Sequence, residues 1–527
     1  MRDGKIHPPT NFEAPAGTLS RRTFLRSGAL AVGGAAALGD RLLAAPYDPI
    51  PAHTGMARPV RIRGMVRTRG RGVGRVAVSD GLQVVDSDAD GQFELVTSSD
   101  RGFVWVRVPA GYEIPKNAPG TARFYERIDP ERSEMSVAFD LTLLSGSDER
   151  HAVLLLGDIQ TETAEEMGWF HERAVPDLRD TVRELGDVPV VGVADGDIMF
   201  DNLELYPEYE RGVRRIGVPF FQVVGNHDLD MESRTDEGST DTFSRHFGPR
   251  YYSFDRGAVH YVVLDDVFWH GSGYLGYLDA DALTWLRADL ERVEPGAPVV
   301  VATHIPVLGS YHARQGRRSP DPPAAVMNRE ALYRLLEPFR AHILTGHTHE
   351  LEHVFESGTH EHVAGAICGA WWSGPICHDG APNGYCVYEA EGEEISWRYK
   401  STGFDAAHQM RLYGPGADPA APDEVVANVW DWDPEWTVRW FADGDPRGVM
   451  ARRPGRDPLS VELHSGDDLP AHRPWVEPRI TNHMFYARVD PGVAEVRVEA
   501  TDRFGRVYSE SLAIGPVRGS PRPPSAR

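Results

Sequence analysis

The hydrophobic and polar positions of the chain change pattern from one block to the next. Residues 58–145 alternate apolar and polar side chains in short segments rich in β-branched residues, with Gly and Asp turns between them. Strands that bury one face have this period of two. The pattern predicts a small all-β sandwich domain at residues 58–145.

The middle block, residues 150–405, combines continuous apolar runs with helical spacing. The run 151–156 is typical of a buried strand, whereas Leu283, Leu286 and Leu290 recur at the spacing of an amphipathic helix. Alternating strands and helices predict an α/β domain.

Strand-like alternation returns in the last block and predicts a second all-β sandwich domain at residues 408–518. The Gly-, Pro- and Ala-rich stretch 414–422 is interpreted as the linker to it.

The first 45 residues have the pattern of an export signal. Arg21 and Arg22 precede a mildly apolar Gly/Ala-rich run of about 12 residues, which is too short for the roughly 20 residues that span a bilayer. The arginine pair resembles a twin-arginine signal. We therefore expect residues 1–45 to direct the protein through the twin-arginine machinery to a periplasmic or extracellular location, without a stable membrane anchor. Cleavage is expected after Ala37, Gly39 or Ala45.

Composition and charge narrow the classes of function. The 527 residues include 55 Lys and Arg against 78 Asp and Glu, a formal charge of −23. Such an acidic surface argues against nucleic-acid binding, which depends on basic residues at phosphates. Cys368, Cys377 and Cys386 are too few for a four-cysteine metal site. They predict either buried thiols, which we favour, or one disulfide.

Polar residues follow five predicted strands of the middle block, where ligands of α/β proteins bind. A single Gly-Asp pair or histidine in this position is weak support, but together these residues supply carboxylate, amide and imidazole donors. These donors outnumber the ligands of one tetrahedral ion and so favour two metal ions. The donors are Asp158, Gln160, Asp197, Asn226, His304, His347 and His349.

The order Asp-x-Gln, Gly-Asp, Gly-Asn-His-Asp, His and Gly-His-x-His resembles the calcineurin-like metallophosphoesterase superfamily. The stretches 247–254, 371–374 and 482–485 are similar to its exported subgroup with N- and C-terminal β accessory domains. The resemblance implies an α/β fold, with a central four-layer αββα domain flanked by two small all-β sandwich domains.

The resemblance also implies a dinuclear centre with Asp197 shared by both ions. It places His227 beside the substrate phosphate, with Asp228 orienting that ring. The implied first site is Asp158, Gln160, Asp197 and His349, the second is Asp197, Asn226, His304 and His347, and Tyr252, Trp371 and Trp372 form a candidate substrate wall.

Gln160 departs from the commonest pattern of the superfamily, which has histidine there. Its neutral amide oxygen is a harder donor than imidazole and favours Mn²⁺, Mg²⁺ or iron over Zn²⁺ in the first site. Whether Gln160 ligates directly, and which of the four metals is bound, stays open at this stage.

The predicted activity is hydrolysis of a phosphate monoester or diester by a metal-bridging hydroxide, with His227 assisting the leaving group or the transition state. The expected substrate is a small or envelope-derived phosphoester. The alternative is an exported envelope- or carbohydrate-binding module with a vestigial metal site.

Three further groups of residues invite simpler interpretations. The stretch Asp86–Gly91 resembles the start of a calcium loop, but Thr97 stands where that loop needs Glu, so a strand connection is predicted. Asp195 and Asp201 are expected to support turns or ligands. A third metal site is conceivable at neighbouring histidines, but solvated surface is favoured for His353, His360 and His362.

Overall fold

The computed structural model describes residues 57–514. The export signal expected at residues 1–45 lies outside them. Within the described residues, no helix is long and apolar enough to cross a membrane.

The N-terminal region forms two four-stranded sheets. Its strands are β1 (Pro59–Thr68), β2 (Arg71–Gly72), β3 (Ala77–Ser79), β4 (Val84–Asp86), β5 (Gln92–Ser98), β6 (Phe103–Val106), β7 (Tyr125–Arg127) and β8 (Glu134–Asp140). One sheet has the order β2-β1-β5 with β8 parallel to β1, and the other has the order β4-β3-β6-β7. The predicted strand connection after Asp86 is confirmed, since Asp88 Oδ1 accepts the backbone N–H groups of Asp90 and Gln92 as the chain enters β5.

Two mixed sheets form the centre of the molecule. The first has the order β11-β10-β9-β20-β21 and the second β12-β13-β16-β17-β19-β18, with β14-β15 as a separate hairpin. The strands are β9 (Arg150–Leu156), β10 (Val190–Ala194), β11 (Phe220–Gln222), β12 (Tyr252–Arg256), β13 (Val259–Val263), β14 (Val267–Trp269), β15 (Tyr274–Gly276), β16 (Pro298–Ala302), β17 (Arg340–Thr345), β18 (Glu352–Glu356), β19 (Thr359–Val363), β20 (Gly384–Glu391) and β21 (Glu394–Ser401).

The two central sheets pack face to face, with helices outside. Phe221 of β11 stacks on Phe254 of β12 with ring centroids 4.0 Å apart, and His151 Nε2 lies 2.7 Å from the Tyr261 hydroxyl. This arrangement confirms the predicted α/β fold with its four-layer centre. The helices are Ala164–Trp169, Val175–Leu185, Tyr206–Ile216, Asp236–Ser239, Asp241–Phe247, Ala280–Leu290, Tyr311–Arg314 and Arg329–Leu336, with a π-helical turn at Phe170–Ala174 and 3-10 turns at Leu203–Leu205 and Pro322–Ala324.

The N-terminal region covers one outer strand of each central sheet. Thr121 forms a parallel bridge with Phe220 of β11, and Val108 forms one with Phe254 of β12. Unpaired strand edges invite pairing with other chains. The bridges therefore protect both sheets on the same side of the molecule.

The C-terminal region forms two further four-stranded sheets, ordered β22-β23-β29-β26 and β25-β24-β30-β31, with β27 and β28 paired separately. The elements are β22 (Met410–Tyr413), β23 (Glu424–Val429), β24 (Thr437–Ala442), β25 (Asp445–Val449), β26 (Ala451–Arg452), β27 (Gly455–Arg456), helix Pro458–His464, β28 (Ile480–Thr481), β29 (Met484–Arg488), β30 (Glu495–Thr501) and β31 (Val507–Ala513).

The stretch 414–422 is not the linker that its composition suggested. It connects β22 to β23, which pair antiparallel, so it is a turn inside the C-terminal sheet. Gly and Pro mark turns within a domain as readily as boundaries between domains.

Candidate metal centre

Backbone contacts from the ends of central strands bring the two sheets' polar residues together. His304, which follows β16, directs Nδ1 to the backbone oxygen of Asp195 after β10, at 2.8 Å. The backbone N–H of His347, after β17, donates to Asp158 Oδ2 after β9, at 2.9 Å. The carboxyl ends of strands from both sheets therefore meet at one site.

Asp197, His304 and His347 form the first group of converging donors. One candidate ligand atom of each lies within 4.8 Å of the others. His304 Nε2 lies 3.3 Å from Asp197 Oδ1 and 3.3 Å from Asn226 Oδ1. The structure thus brings together the four residues predicted for the second metal site.

Asp158 and His349 form the second group. Asp158 Oδ1 and His349 Nε2 lie 3.2 Å apart, both are buried, and neither has a hydrogen-bond partner. Gln160 Nε2 donates to Asp197 Oδ2 at 2.9 Å. The Gln160 amide therefore positions Asp197, the carboxylate predicted to be shared by both metal ions.

Backbone carbonyls fix the orientation of three predicted histidine ligands. His304 donates from Nδ1 to Asp195, His347 from Nε2 to Pro323 at 3.0 Å, and His349 from Nδ1 to Gly369 at 2.5 Å. In a neutral ring, the other nitrogen then carries a lone pair. Ligand histidines of metalloproteins are commonly held in this way.

The backbone around these residues adopts conformations that non-glycine residues rarely take. Such strain concentrates at functional sites, where the surrounding structure enforces it. The non-glycine residues with positive φ at this site are Asp158, Gln160, Asp197, Asp201, His347, His349, Trp371 and Trp372.

The glycines of the Gly-Asp and Gly-His-x-His motifs make room for the donors. A Cβ on Gly196, where φ is +82°, would come within 2.5 Å of His304 Nδ1, and one on Gly346 within 2.6 Å of Asp158 Oδ2. Any larger residue at these positions would displace a predicted ligand.

His227 is oriented by Asp201 and not by Asp228, contrary to the expectation from sequence. His227 Nδ1 lies 2.6 Å from Asp201 Oδ1, and Phe200 stacks on the ring at 4.3 Å. Burial lowers the pKa of His227, but the charges of Asp197 and Asp201 raise it overall. The contact with Asp201 therefore engages the Nδ1 side of the ring.

Asp228 instead supports the surrounding loops. Its carboxylate accepts backbone N–H groups of Ile198, Met199 and Gly225, each at 3.1 Å, and the Tyr206 hydroxyl. Burial, followed by the charge of Asp197, raises the pKa of Asp228 to about 7. With its oxygens engaged by the backbone, Asp228 is a positioning residue.

Tyr252 does not form a substrate wall. It is only 2% exposed, its hydroxyl donates to the backbone oxygen of Gln222 at 2.8 Å, and its ring packs on Phe124 at 4.5 Å. The alternation of β12 turns this side chain into the core between the sheets.

The two tryptophans do lie beside the predicted ligands. Trp371 stacks on His349 with centroids 4.3 Å apart, and Trp372 Nε1 donates to the backbone oxygen of Ile159 at 3.1 Å. Both are largely buried, so they pack against the predicted ligands and the loop after β9.

A C-terminal loop at the rim of the site was missed by sequence reasoning. Trp475, which is 49% exposed, packs on Trp371 at 4.7 Å, and the Arg473 guanidinium lies 4.7 Å from the centre of the Phe200 ring. Both residues are distant in sequence from every motif, and no local signal marks them.

Asp266 was also missed, although the same signal was present. It follows β13, and its Oδ1 accepts the backbone N–H groups of His304 and Ile305 at 3.2 Å. A carboxylate at a strand end of the central sheet is the pattern that identified the other residues.

The expectation of solvated histidines at 353–362 is wrong. His360 and His362 are buried, and the His353 side chain is only 4% exposed. Tyr388 and Trp397 of the first central sheet pack on the His362 ring, and Asp431 of the C-terminal region contacts His353. The three cysteines are buried free thiols.

Three family models match the chain. The model described as "Calcineurin-like phosphoesterase" matches residues 151–351. The models for its N terminal and its C terminal match residues 60–144 and 361–508. No curated protein matches the chain.

Several solved structures are similar at low sequence identity. One described as "GAP50 the anchor in the inner membrane complex of Plasmodium" is 14% identical, covers 48% of this chain and 84% of its own, with a TM-score of 0.34. The purple acid phosphatase PPD1 from yellow lupin is 15% identical, covers 65% and 67%, and has a TM-score of 0.35. A putative 5'-nucleotidase from Staphylococcus aureus is 14% identical, covers 48% and 53%, and has a TM-score of 0.29.

Proposed function

Because the chain belongs to the calcineurin-like phosphoesterase family, we propose that it is a metal-dependent hydrolase of phosphate monoesters or diesters. The observation that carries this proposal is the inward-facing set of donor atoms at the strand ends. The acidic charge of −23 does not oppose an anionic substrate, because bound cations reverse the local field.

The residues at the site fit divalent metal ions. Asp158 Oδ1, His347 Nδ1 and His349 Nε2 are buried without a hydrogen-bond partner. Buried polar atoms without partners cost free energy. A cation between Asp158 and His349, and a second one at His347, would satisfy all three atoms. Their mixture of oxygen and nitrogen donors suits Mn²⁺, iron or Zn²⁺, and Mg²⁺ less well.

We assign the ions to the residues that the structure brings together. Bound there, two divalent ions would supply a water of lowered pKa and positive charge at the phosphoryl oxygens. The first ion would be held by Asp158, Asp197 and His349 with Gln160 beside it, and the second by Asp197, Asn226, His304 and His347.

His227 is the residue proposed to act on the leaving group. Its Nδ1 contacts Asp201, which favours protonated imidazole and leaves Nε2 free to donate to the departing oxygen. Its backbone N–H donates to Asp197 Oδ1 at 2.8 Å, so the main chain of His227 is held beside the predicted shared ligand.

The proposal is tested by turnover of p-nitrophenyl phosphate and bis-p-nitrophenyl phosphate with Mn²⁺, Mg²⁺, Zn²⁺ or iron. Removing a residue that hydrogen-bonds to a metal ligand typically costs about 10–100-fold in activity, and removing a ligand itself should cost more. We expect a loss of more than about 100-fold for Asn226→Ala and His304→Ala, with His171→Ala as the matched control on an outer helix. Full activity in either ligand variant would overturn the assignment.

The role of His227 is tested by comparing its two neighbouring carboxylates. Asp201→Asn is expected to lower kcat by about 10–100-fold and change the pH profile, without changing Tm, because it alters only the ring's partner. Asp228→Asn is expected to lower Tm, because it weakens bonds to three backbone groups. The reverse result would restore Asp228 as the orienting residue.

We also propose export through the twin-arginine machinery and an exported phosphoester substrate. The proposal is supported by Arg21, Arg22 and the apolar run that follows. Arg21→Lys with Arg22→Lys in the full chain should retain the protein in the cytoplasm, as measured by cell fractionation. Normal export of that variant would contradict this route.

A further inference from the structure

Four histidines face one another on three adjacent strands of the second central sheet. His342 lies on β17, His353 on β18, and His360 and His362 on β19. In the strand register His342 is opposite His360, and His353 is opposite His362. Residues two apart on a strand share a face. The register therefore gathers all four rings, which we call the histidine cluster, on one side of the sheet.

The rings of the histidine cluster are in direct contact. His342 Nδ1 lies 3.0 Å from His362 Nε2, and His353 Nδ1 lies 3.0 Å from His360 Nε2. One candidate ligand nitrogen each of His342, His360 and His362 lies within 4.8 Å of the others. Zn–N bonds are about 2.0–2.1 Å long. Small side-chain rotations thus bring three nitrogens onto one ion.

Hydrogen bonds between the rings do not satisfy the cluster. His362 Nδ1 is buried and has no hydrogen-bond partner, although Nε2 of the same ring is engaged. A buried polar atom without a hydrogen-bond partner is uncommon in folded proteins, and it indicates that an ion or a water molecule binds there. The orphaned nitrogen is the second observation that points to a ligand here.

The surroundings of the cluster match those of a metal site. His353 Nε2 lies 3.1 Å from Asp431 Oδ1, a carboxylate–imidazole contact of the kind that supports ligand histidines. Trp397 closes the cluster, with its ring centroid 4.6 Å from that of His362. The nearby Arg503 Nε lies 2.7 Å from Asp433 Oδ2, so these two charges balance each other. The negative charge of Asp431 then remains to balance a bound cation.

The environment of His342, His360 and His362 favours their neutral form. Burial, followed by the charge of Arg503, lowers the pKa of His342 to about 4. Burial and the neighbouring histidines also lower the pKa values of His360 and His362. Neutral imidazole is the form that binds metal.

We infer that the histidine cluster binds one Zn²⁺ through His342, His360 and His362, with His353 in reach as a fourth ligand. All donors are imidazole nitrogens, whereas the catalytic site mixes oxygen and nitrogen. Such a donor set suits zinc and disfavours Mg²⁺. This inference is independent of the proposed function.

The ion would connect parts of the protein that are distant in sequence and adjacent in the folded structure. β17 carries His342 at its centre and leads directly to His347 and His349. Asp431, beside His353, belongs to the C-terminal region. A zinc ion here would therefore stiffen the strand that presents two predicted catalytic ligands and hold the C-terminal region against it.

The test uses the full chain without a polyhistidine tag, in a His304→Ala/His347→Ala/His349→Ala background that removes the histidine ligands of both predicted catalytic metal sites. The protein is stripped with a chelator, loaded with Zn²⁺ alone, freed of excess ion and analysed for zinc by mass spectrometry. We expect one zinc per chain in this background. Adding His360→Gln/His362→Gln should remove it, and adding His171→Gln should not.

Two further measurements keep the result decisive if the additional substitutions impair folding. X-ray absorption of the background variant with Zn²⁺ should show an imidazole-only first shell at about 2.0 Å. Zn²⁺ should also raise its Tm, because an ion that binds the folded state stabilises it. A background variant that retains no zinc, or zinc retained unchanged after His360→Gln/His362→Gln, would overturn the inference.

Discussion

The N-terminal and C-terminal β regions are attached to the central sheets in different ways. The N-terminal region shares one continuous apolar core with the central sheets, and Trp105 packs on Tyr251 and Trp285 at centroid distances of 6.1 and 6.2 Å. The C-terminal sandwich has its own core around Val425, Trp436 and other apolar residues. The two β regions therefore stabilise the molecule differently. The N-terminal region adds to the central apolar core, whereas the C-terminal sandwich packs around a core of its own.

The C-terminal region places Trp430 in the central core and packs Phe504 on Trp397, and its other contacts with the centre include polar groups and a loop. His483 Nε2 lies 3.1 Å from Asp379 Oδ2, and Arg479 Nη1 donates to Glu350 Oε1 at 2.8 Å. Trp475 reaches Trp371 at the rim of the predicted metal site. The difference suggests a division of work, in which the first region supports the fold and the second shapes access to the site.

Trp105→Ala should have the largest effect on stability. Replacing a buried aromatic residue by Ala costs about 3–5 kcal/mol, since apolar contacts are lost and a cavity remains. Urea unfolding should show this loss, with kcat/KM of the folded fraction unchanged. Trp475→Ala is the matched control, and an equal loss of stability in both variants would remove the contrast between the regions.

The charged part of the N-terminal interface should make stability depend on pH. His260 lies between Asp255 and Asp289, with ring nitrogens 2.7 and 2.9 Å from their carboxylates, and Arg107 contacts both acids. Burial lowers the pKa of His260, but the two carboxylates raise it overall to about 9.

Since the folded pKa exceeds the unfolded value of about 6.5, the stabilisation is present below pH 6.5 and is lost as pH rises through about 9. The effect is on the order of 3 kcal/mol. Unfolding free energies measured from pH 6 to 9.5 should fall more steeply for the wild type than for His260→Gln. Parallel curves for the two proteins would show that His260, between its two carboxylates, does not make the unfolding free energy depend on pH.

Trp475→Ala should have the smallest effect on stability and a selective effect on substrate. The side chain is half exposed, so the unfolding free energy should change by less than about 0.5 kcal/mol. We expect Trp475 to pack on the nitrophenyl ring of the substrate, and loss of such a contact, about 0.5–1.5 kcal/mol, should raise KM by about 2- to 10-fold. The comparison of KM for mono- and bis-p-nitrophenyl phosphate checks this, and unchanged values would exclude the loop from the substrate path.

The pattern of strands and helices was sufficient to predict an α/β centre and to nominate the donors that meet there, whereas the four-layer arrangement was implied only by the family resemblance. Buried strands such as 151–156 are continuous apolar runs, and a polar residue immediately after one is visible without a structure. Gln160 and His349 were found in this way, because strand ends of an α/β fold converge regardless of the loops that follow.

Contacts set by loop geometry were not predictable. Asp228 is adjacent to His227 in sequence, but the left-handed turn at Asp201 delivers a different carboxylate to the ring. Alternation along β12 shows that Tyr252 lies on one face, but not which layer covers that face. For the same reason His360 and His362 suggested solvent, since Tyr388 and Trp397, which pack on the His362 ring, lie on strands of the other central sheet.

The bridges from Val108 and Thr121 have a consequence for folding during synthesis of the chain. Both residues leave the ribosome before β11 and β12 are synthesised, so each outer strand emerges to find a partner already present. Expression of residues 151–405 alone would remove both partners and leave two bare strands on the same side. Such a fragment is expected to self-associate through these strands and precipitate, even with every catalytic side chain in place.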